Sequence, residues 1–377
     1  MTKHQKLFET VQLGPVTVGN RIGVAPMTRT SATETGVVTD QMVSYYHKFA
    51  KGGFGFIITE GTYTDDKYSQ GYPDQPGIIN QEQAQAWQKV TEAVHQDGSK
   101  IIMQLMHAGA LSQGNRFTKE TLAPSVVQPK GEQLGFYGGE GSFPTPKEAT
   151  KEDIKHIIEG FVNAAQRAKE VGFDGVEIHG ANGYILDQFL TDYTNQRTDE
   201  YGGAVENRVR LAVEVSEAVR DAVGDDFVVG IRISQGKVND YHHKWADKEK
   251  EADIIFTQLG QTGLDYIHVT EYEAWQPAFP KGEGTEATDA AFGDGGPTLA
   301  ALAKKYSQRP VMANGSLHEP DKAQAIVEQG DADLVTIGRG ALANGDWANK
   351  VKNDQGLEEF KPEKVLAPNA KIKGFEV

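Results

Sequence analysis

The amino-acid sequence predicts a (β/α)8 TIM barrel formed as a single domain over residues 1–377, and three observations predict it. Eight short apolar runs recur along the chain. Stretches of helical periodicity fill the intervals between them. Glycines stand just beyond several of those stretches, where a helix that ends on a left-handed residue needs them. Strands that alternate with helices pair in parallel, and eight such units close on themselves. A doubly wound open sheet is the rival. It calls for a Gly-rich turn after an early strand, and "RIGVAPMTRT" (21–30) supplies none.

In chain order, "VQLGPVTVGN" (11–20) reads as a hairpin that closes the barrel floor. The eight runs follow: "RIGVAP" (21–26), "FGFIITEG" (54–61), "KIIMQLM" (100–106), "DGVEIH" (174–179), "VVGIRIS" (228–234), "LDYIHVT" (264–270), "PVMANG" (310–315) and "DLVTIGRG" (333–340). They are continuous rather than alternating, as strands buried on both faces require. Residues 81–97 put Ala84, Trp87, Val90, Ala93 and Val94 on one helical face. Residues 152–170 do so with Ile154, Ile157, Ile158, Phe161, Ala164 and Ala168, and 205–223 and 321–329 share the spacing. Gly98, Gly172, Gly224, Gly263 and Gly330 are the expected helix-ending glycines. Thr150, with Asp153 three residues on, resembles a capping box with the shorter acid. Two excursion loops, after strands 3 and 6, exceed simple crossovers: residues 107–149, with "GEQLGFYGGEGSFPTP", and residues 271–294. Such excursions are often lids or binding loops; for 281–290 a flexible surface insertion stands level with that reading.

Composition bounds the function. Apolar residues make up 38% and charged residues 24%, and the formal net charge is −15. Nucleic acid and anionic membranes need a basic footprint, so neither is expected as a partner. The absence of cysteine removes disulfides, thiolate-bound zinc and iron–sulfur clusters. "MTKHQKLFET" has no apolar signal segment, and no stretch approaches the roughly 20 apolar residues of a membrane helix, so a cytoplasmic location is the expectation. Homo-oligomerisation is left open.

Active sites in such barrels sit at the C-terminal ends of the strands. Those ends carry Pro26-Met27-Thr28-Arg29, Glu60-Gly61, Gln104 and His107, His179, Arg232, His268, Asn314-Gly315 and Gly338-Arg339. So many polar endings favour a shared pocket. "ANGS" and "IGRG" close strands seven and eight, where barrels often bind phosphate. Gly315 and Gly338 would admit it and Arg339 would clamp it, against two ordinary turns and a surface arginine. Arg232 lies inside an apolar strand and needs an anionic partner: a core carboxylate such as Glu177, or an anionic ring. Gln104 offers a planar edge to an amide-like heterocycle, or is a satisfied core amide. His179 and Asn182, three residues apart in a turn, would both donate to one oxygen if that turn is helical. Tyr184 adds a phenol, protonated at neutral pH, that can act as a general acid. A backbone-bonded histidine, a turn asparagine and a half-buried tyrosine are the plainer alternative.

The motifs "APMTR" (25–29), "QLMHAG" (104–109), "HGANGYILDQFL" (179–190), "RTDEYGGAVENR" (197–208) and "IGRG" (337–340) together resemble the old yellow enzyme family of FMN-dependent ene-reductases, over about residues 6–350. The resemblance implies non-covalent FMN, reduced by NADH or NADPH, and a small electrophilic alkene as substrate. Pro26, Met27, Thr28 and Gly61 would border the isoalloxazine, with Thr28 tuning it. Gln104 and Arg232 would meet its pyrimidine end, and Asn314, Gly315, Gly338 and Arg339 complete the cofactor set, the last three at the phosphate. His179 and Asn182 would bind the substrate carbonyl, and Tyr184 would protonate Cα. Arg197, Asp199, Glu206 and Arg208 would brace the loop that carries Tyr184. One branch of the family has cysteine at the position of Thr28; this chain follows the threonine branch. Larger relatives carry an iron–sulfur domain and a second nucleotide-binding domain, and with no cysteine and an end at residue 377 neither is expected here.

Two other functions fit parts of the pattern. His107, His179 and His268 all fall at or just past strand ends, as three zinc ligands of a metal-dependent hydrolase would. A flavin-binding redox partner without ene-reductase activity is the other.

Overall fold

The eight apolar runs become eight parallel strands in the computed structural model, which describes residues 2–280 and 295–377. They are β1 (Ile22–Val24), β2 (Phe56–Ile58), β3 (Lys100–Met106), β4 (Gly175–Asn182), β5 (Val228–Lys237), β6 (Tyr266–Thr270), β7 (Val311–Asn314) and β8 (Leu334–Ile337). Each pairs with its neighbour in sequence, and β8 returns to β1 with Val335 opposite Ile22. That last pairing closes the barrel and removes the open doubly wound sheet from consideration.

The hairpin forms as expected, with Val11–Leu13 antiparallel to Val16–Val18. It seals the floor: Leu13 and Val18 pack with Phe56, Ile58, Ile102, Val228, Tyr266, Met312 and Leu334. Gly230 makes room for this plug, since a Cβ there would lie 2.1 Å from the Tyr266 ring. A polar layer sits above the plug. Glu177 Oε2 accepts from the Tyr266 hydroxyl (3.0 Å) and His268 Nδ1 (2.8 Å), and its Oε1 accepts from Gln104 Nε2 (2.9 Å). His268 Nε2 meets Thr336 Oγ1 at 2.9 Å, so both ring nitrogens are engaged. Burial alone would raise the Glu177 carboxyl; His268, Arg232 and Gln104 hold it below its usual range.

The helices start where capping residues stand. Asn80 caps Gln81–His95, and Thr150 caps Lys151–Glu170 through a full capping box with Asp153. The helix expected over 205–223 is interrupted at Val209, giving Val205–Arg208 and Arg210–Val223. Four of the five expected helix-ending glycines have positive φ; Gly263 does not. Its helix ends at Gly260, and Gly263 is small because a Cβ would lie 2.5 Å from the Arg220 Cγ.

Two irregular segments cover the C-terminal end of the barrel. The excursion after β3 brings Leu134, Phe136 and Tyr137 over it. The final residues are tied back to the end of β1: Arg29 pairs with Glu376, both 2% exposed or less, and Arg29 Nε donates to the Ala370 carbonyl. Ala370 N–H donates in turn to Phe136 O. The stretch 281–290, for which a lid and a flexible insertion stood level, lies outside the described residues. Among the described residues no helix is long and apolar enough to cross a membrane.

Candidate active site

A cavity of about 460 Å³ opens at the C-terminal ends of the strands. All but Gly61 of the residues that the resemblance assigns to cofactor or substrate line it, whereas the strand-end residues Glu60, His107 and His268 do not. Gly61 is buried behind Met106, whose Sδ would lie 2.4 Å from an added Cβ, and its carbonyl accepts from Gln75 Nε2 at 2.6 Å. Packing against Met106 accounts for its smallness, and a place for its backbone beside a cofactor ring remains a proposal.

β4 delivers the histidine, amide and phenol. His179 is 3% exposed, and its Nδ1 accepts the Ala181 N–H at 3.4 Å. The ring proton therefore belongs on Nε2, which leaves a donor for a ligand in the cavity. Burial, then the Arg232 charge, push the imidazole down to about 3, so it is neutral at any ordinary pH. Asn182 is not in the helical turn that its spacing from His179 invited. The strand runs on through Asn182, and its left-handed φ of 63° then reverses the chain. Its N–H is held by Ser234 Oγ at 2.8 Å and its carbonyl by Val238 N–H, so the reversal is fixed from β5. Tyr184 follows at once, its ring edge-on to His179 with centroids 4.9 Å apart. Burial raises its phenol to about 12.

The brace behind this turn differs from the one expected. Arg197 pairs with Asp199 and reaches the Pro124 and Ala149 carbonyls, but Arg208 pairs with Glu251. Glu206 is exposed, so the four do not form one network. A buried ion pair, Lys237 Nζ to Asp187 Oδ1 at 2.7 Å, stands there instead, and Asp187 Oδ2 accepts the Gly183 N–H at 2.6 Å. Lys237 sits among polar loop residues in sequence, and nothing there signals its burial.

Arg232 is 5% exposed. Its Nη2 donates to Asn314 Oδ1 at 2.7 Å, while its Nε, fully enclosed, has no acceptor among the described residues. Glu177, the carboxylate that favours its charge, is itself saturated by Gln104, Tyr266 and His268. Burial pulls the guanidinium down to about 10 in spite of Glu177. An orphaned charged donor beside an open cavity is what an anionic ligand ring would satisfy. Gln104 is half of each reading: its amide nitrogen serves the core, while the residue lines the cavity.

Gly315, Gly338 and Arg339 line the same cavity. Gly315 has φ 138°, and an added Cβ would lie 2.1 Å from the Glu271 carbonyl oxygen, so only glycine fits. The nearest protein atom to a Cβ on Gly338 is Met27 Sδ at 3.7 Å, which leaves the backbone open to a ligand. Arg339 is exposed and held by a neutral acceptor, Ser316 Oγ, at 2.8 Å. These groups fit a phosphate.

Sequence reading missed several lining residues. Tyr72 and Tyr137 come from loops and meet with ring centroids 4.7 Å apart. Tyr137 hydroxyl donates to the Thr28 carbonyl at 3.3 Å. Phe360 and Leu366 come from the C-terminal segment. Loop aromatics rich in neighbouring glycine were the available signal for Tyr137; for Phe360 and Leu366 there was none. The zinc reading does not survive the geometry. His268 has both nitrogens engaged below the cavity, and His107 faces Asp65 with Nε2 3.3 Å from Oδ2. Among the described residues no three such side chains are placed to hold a metal.

Residues 6–358 match the model of the NADH:flavin oxidoreductase / NADH oxidase family. The chain belongs to this family. It is 35% identical over 376 residues to 12-oxophytodienoate reductase 7 of Oryza sativa subsp. japonica, covering 97% of this chain and 93% of that one. It is 34% identical to the NADH oxidase of Thermoanaerobacter brockii over 95% of its own length, but spans only 52% of that protein. Among solved structures, the old yellow enzyme homologue from Zymomonas mobilis superposes with a TM-score of 0.82 at 32% identity, over 94% of both chains. Morphinone reductase gives 0.82 at 30% identity, over 97% of this chain and 94% of that one. The protein is thus an old yellow enzyme homologue, an FMN-dependent oxidoreductase that draws on NADH or NADPH. Its cavity is lined by groups whose chemistry suits that cofactor, the Arg232 guanidinium and the Gly315–Gly338–Arg339 group.

Proposed function

We propose that this old yellow enzyme homologue reduces the activated C=C bond of α,β-unsaturated carbonyl compounds, with NADH or NADPH as the source of electrons. One observation carries the reading: a neutral His179 with its Nε2–H free, the Asn182 amide and the Tyr184 phenol share one cavity wall. Bound FMN would supply the hydride. Gln104 and Arg232 would hold the pyrimidine end, where the Arg232 guanidinium stabilises negative charge. Pro26, Met27 and Thr28 would border the ring, and Asn314, Gly315, Gly338 and Arg339 would hold the remainder. His179 and Asn182 would draw electron density onto the substrate oxygen through two hydrogen bonds. Tyr184 would give its proton to the α-carbon. Its phenol, raised by burial, stays protonated at neutral pH and is available for that transfer.

Tyr184→Phe tests it, since it removes the hydroxyl and keeps the ring. Reduction of the flavin by a nicotinamide needs no phenolic proton, and quinones take protons on oxygen from water. Stopped-flow of each half-reaction should show near-normal flavin reduction, retained quinone reduction and a fall of roughly 10²–10⁴-fold with cyclohexenone. Equal losses with both oxidants would mean that Tyr184 only shapes the site. No enone turnover by the unmutated protein would leave a flavin-binding redox partner.

A further inference from the structure

Tyr184 does not stand alone. The Tyr72 hydroxyl lies 2.5 Å from the Tyr184 hydroxyl, and both rings are buried, 2% and 4% exposed. The two tyrosines come from different elements: Tyr72 from the loop after β2, Tyr184 from the turn after β4. Tyr72 is fixed in place. Its carbonyl accepts from Gln70 Nε2 at 3.0 Å, and its ring is packed against Tyr137 and beside Met106 and Leu111. Both phenols line the same cavity, below the exposed Tyr241 at its rim.

A buried phenol that gives up its proton becomes a buried phenolate, and such an ion is costly unless a donor meets it. At 2.5 Å the pair is already at the short separation of a charge-assisted O–H···O⁻ bond. We infer that Tyr72 is a second member of the proton-delivery apparatus, donating its hydroxyl proton to the Tyr184 oxygen as Tyr184 protonates the substrate. The inference rests on the proposed role of Tyr184. The balance is simple. The hydride from the reduced cofactor supplies both electrons and the hydrogen at the β-carbon. The Tyr184 O–H bond breaks as the α-carbon C–H bond forms. The Tyr72 O–H bond breaks as the Tyr184 O–H bond is restored, which leaves the charge on Tyr72. Water entering the open cavity then returns a proton to Tyr72. Burial raises the Tyr184 phenol and its bond from Tyr72 lowers it again, while burial and then Tyr184 push the Tyr72 phenol well above its usual range, so the charge on Tyr72 is short-lived and the proton from water must follow at once.

The test is a double-mutant cycle on the FMN-loaded protein with Tyr72→Phe, Tyr184→Phe and both together, read in the cyclohexenone half-reaction. Flavin content and the affinity for a phenol bound at His179 and Asn182, followed by absorbance, check that each variant keeps its cavity. Tyr72→Phe should slow enone reduction by roughly 10- to 100-fold and leave reduction by nicotinamide unchanged, the scale of one lost charge-assisted bond. In the Tyr184→Phe background it should cost nothing further, because Tyr72 acts through Tyr184. A proton inventory in mixed H2O and D2O should curve for the unmutated protein and become linear in Tyr72→Phe, a change that a purely structural contact does not produce. An unchanged rate in Tyr72→Phe, or the same loss in both backgrounds, overturns the relay and leaves Tyr184 as sole donor. If Tyr184→Phe alone has no enone-specific effect, the Tyr184 reading fails and the relay falls with it. Should Tyr72→Phe then carry the whole loss, Tyr72 is itself the donor.

Discussion

At the floor of the barrel, Leu13, Val18, Phe56, Met312 and Leu334 close on one another, side chains with no polar atom but the Met312 sulfur. At the other end of the same strands, Gln104, His179, Arg232 and Asn314 look across a cavity of about 460 Å³. Between the two lies a layer in which Glu177 is saturated with donors. The floor is ordinary core: its free energy comes from apolar burial, and any residue of the right size serves it. The opposite end holds a charged donor, Arg232 Nε, with no acceptor among the described residues. A fold tolerates such a group at a cost in stability where a ligand completes it. The difference teaches where to cut. Changes at the floor should move stability alone, and changes at the open end should move flavin and substrate chemistry.

The largest expected effect blurs that boundary. Lys237→Met leaves Asp187 buried without its cation and should cost about 3–5 kcal/mol of stability. It should weaken ligand binding at His179 and Asn182 as well, because the pair pins the Gly183 N–H. Denaturant unfolding and phenol titration on one preparation would show whether stability moves without binding, which would reduce the pair to scaffold. Next comes the floor itself. Met312→Ala should lose about 2–5 kcal/mol by opening a cavity there. The ratio of enone to quinone turnover should stay as it was, and a shift in that ratio would mean that the two ends are coupled. At the open end, His179→Ala with Asn182→Ala should abolish the long-wavelength band of a bound phenolate and lower its affinity by roughly 10²-fold, with melting hardly altered. Retention of the band would place the clamp elsewhere. Arg339→Ala should weaken FMN by about 1.5–3 kcal/mol, read by fluorescence as flavin is released on dilution; unchanged affinity would refute the phosphate assignment.

The smallest effect concerns pH. The His179 imidazole falls in the folded protein to about 3, chiefly through burial. An unfolded chain takes up that proton near pH 6.5. Its contribution to stability is therefore fully present above that pH and is lost progressively as pH falls toward 3. His179→Asn should flatten the decline of Tm over about pH 6 to pH 4 by a few degrees. An unaltered slope would show that His179 is already solvated, at odds with its place in the closed part of the site.

Most of the barrel was legible because its signal is local. A run such as "KIIMQLM" is continuous and apolar whatever it pairs with, and Thr150 with Asp153 states a helix start in four residues. Residues at strand ends were legible for the same reason, since the fold class sends them to one face. What escaped depends on partners far away in sequence. Arg29 stood among the strand-end residues, yet its charge goes to Glu376, 347 positions distant. Tyr72 was missed altogether, because its role depends on Tyr184, which β4 brings beside it. Gly61 has the strand-end position, and what its sequence could not tell is that Met106 occupies the space a side chain there would need. Asn182 showed the right neighbour for the wrong reason: spacing suggested a helical turn, and a single left-handed residue does the work.

The tie between Arg29 and Glu376 also sets an order in time. Strand β1 and its arginine leave the ribosome early, while the residues that neutralise that arginine, and Phe360 and Leu366 that wall the cavity, are made some 330 positions later. A nascent chain can pair all eight strands and still lack one side of its flavin cavity. The strands that form the barrel end at Ile337, so the wall that Phe360 and Leu366 supply, and the partner of Arg29, are additions to a barrel whose own strands are already complete.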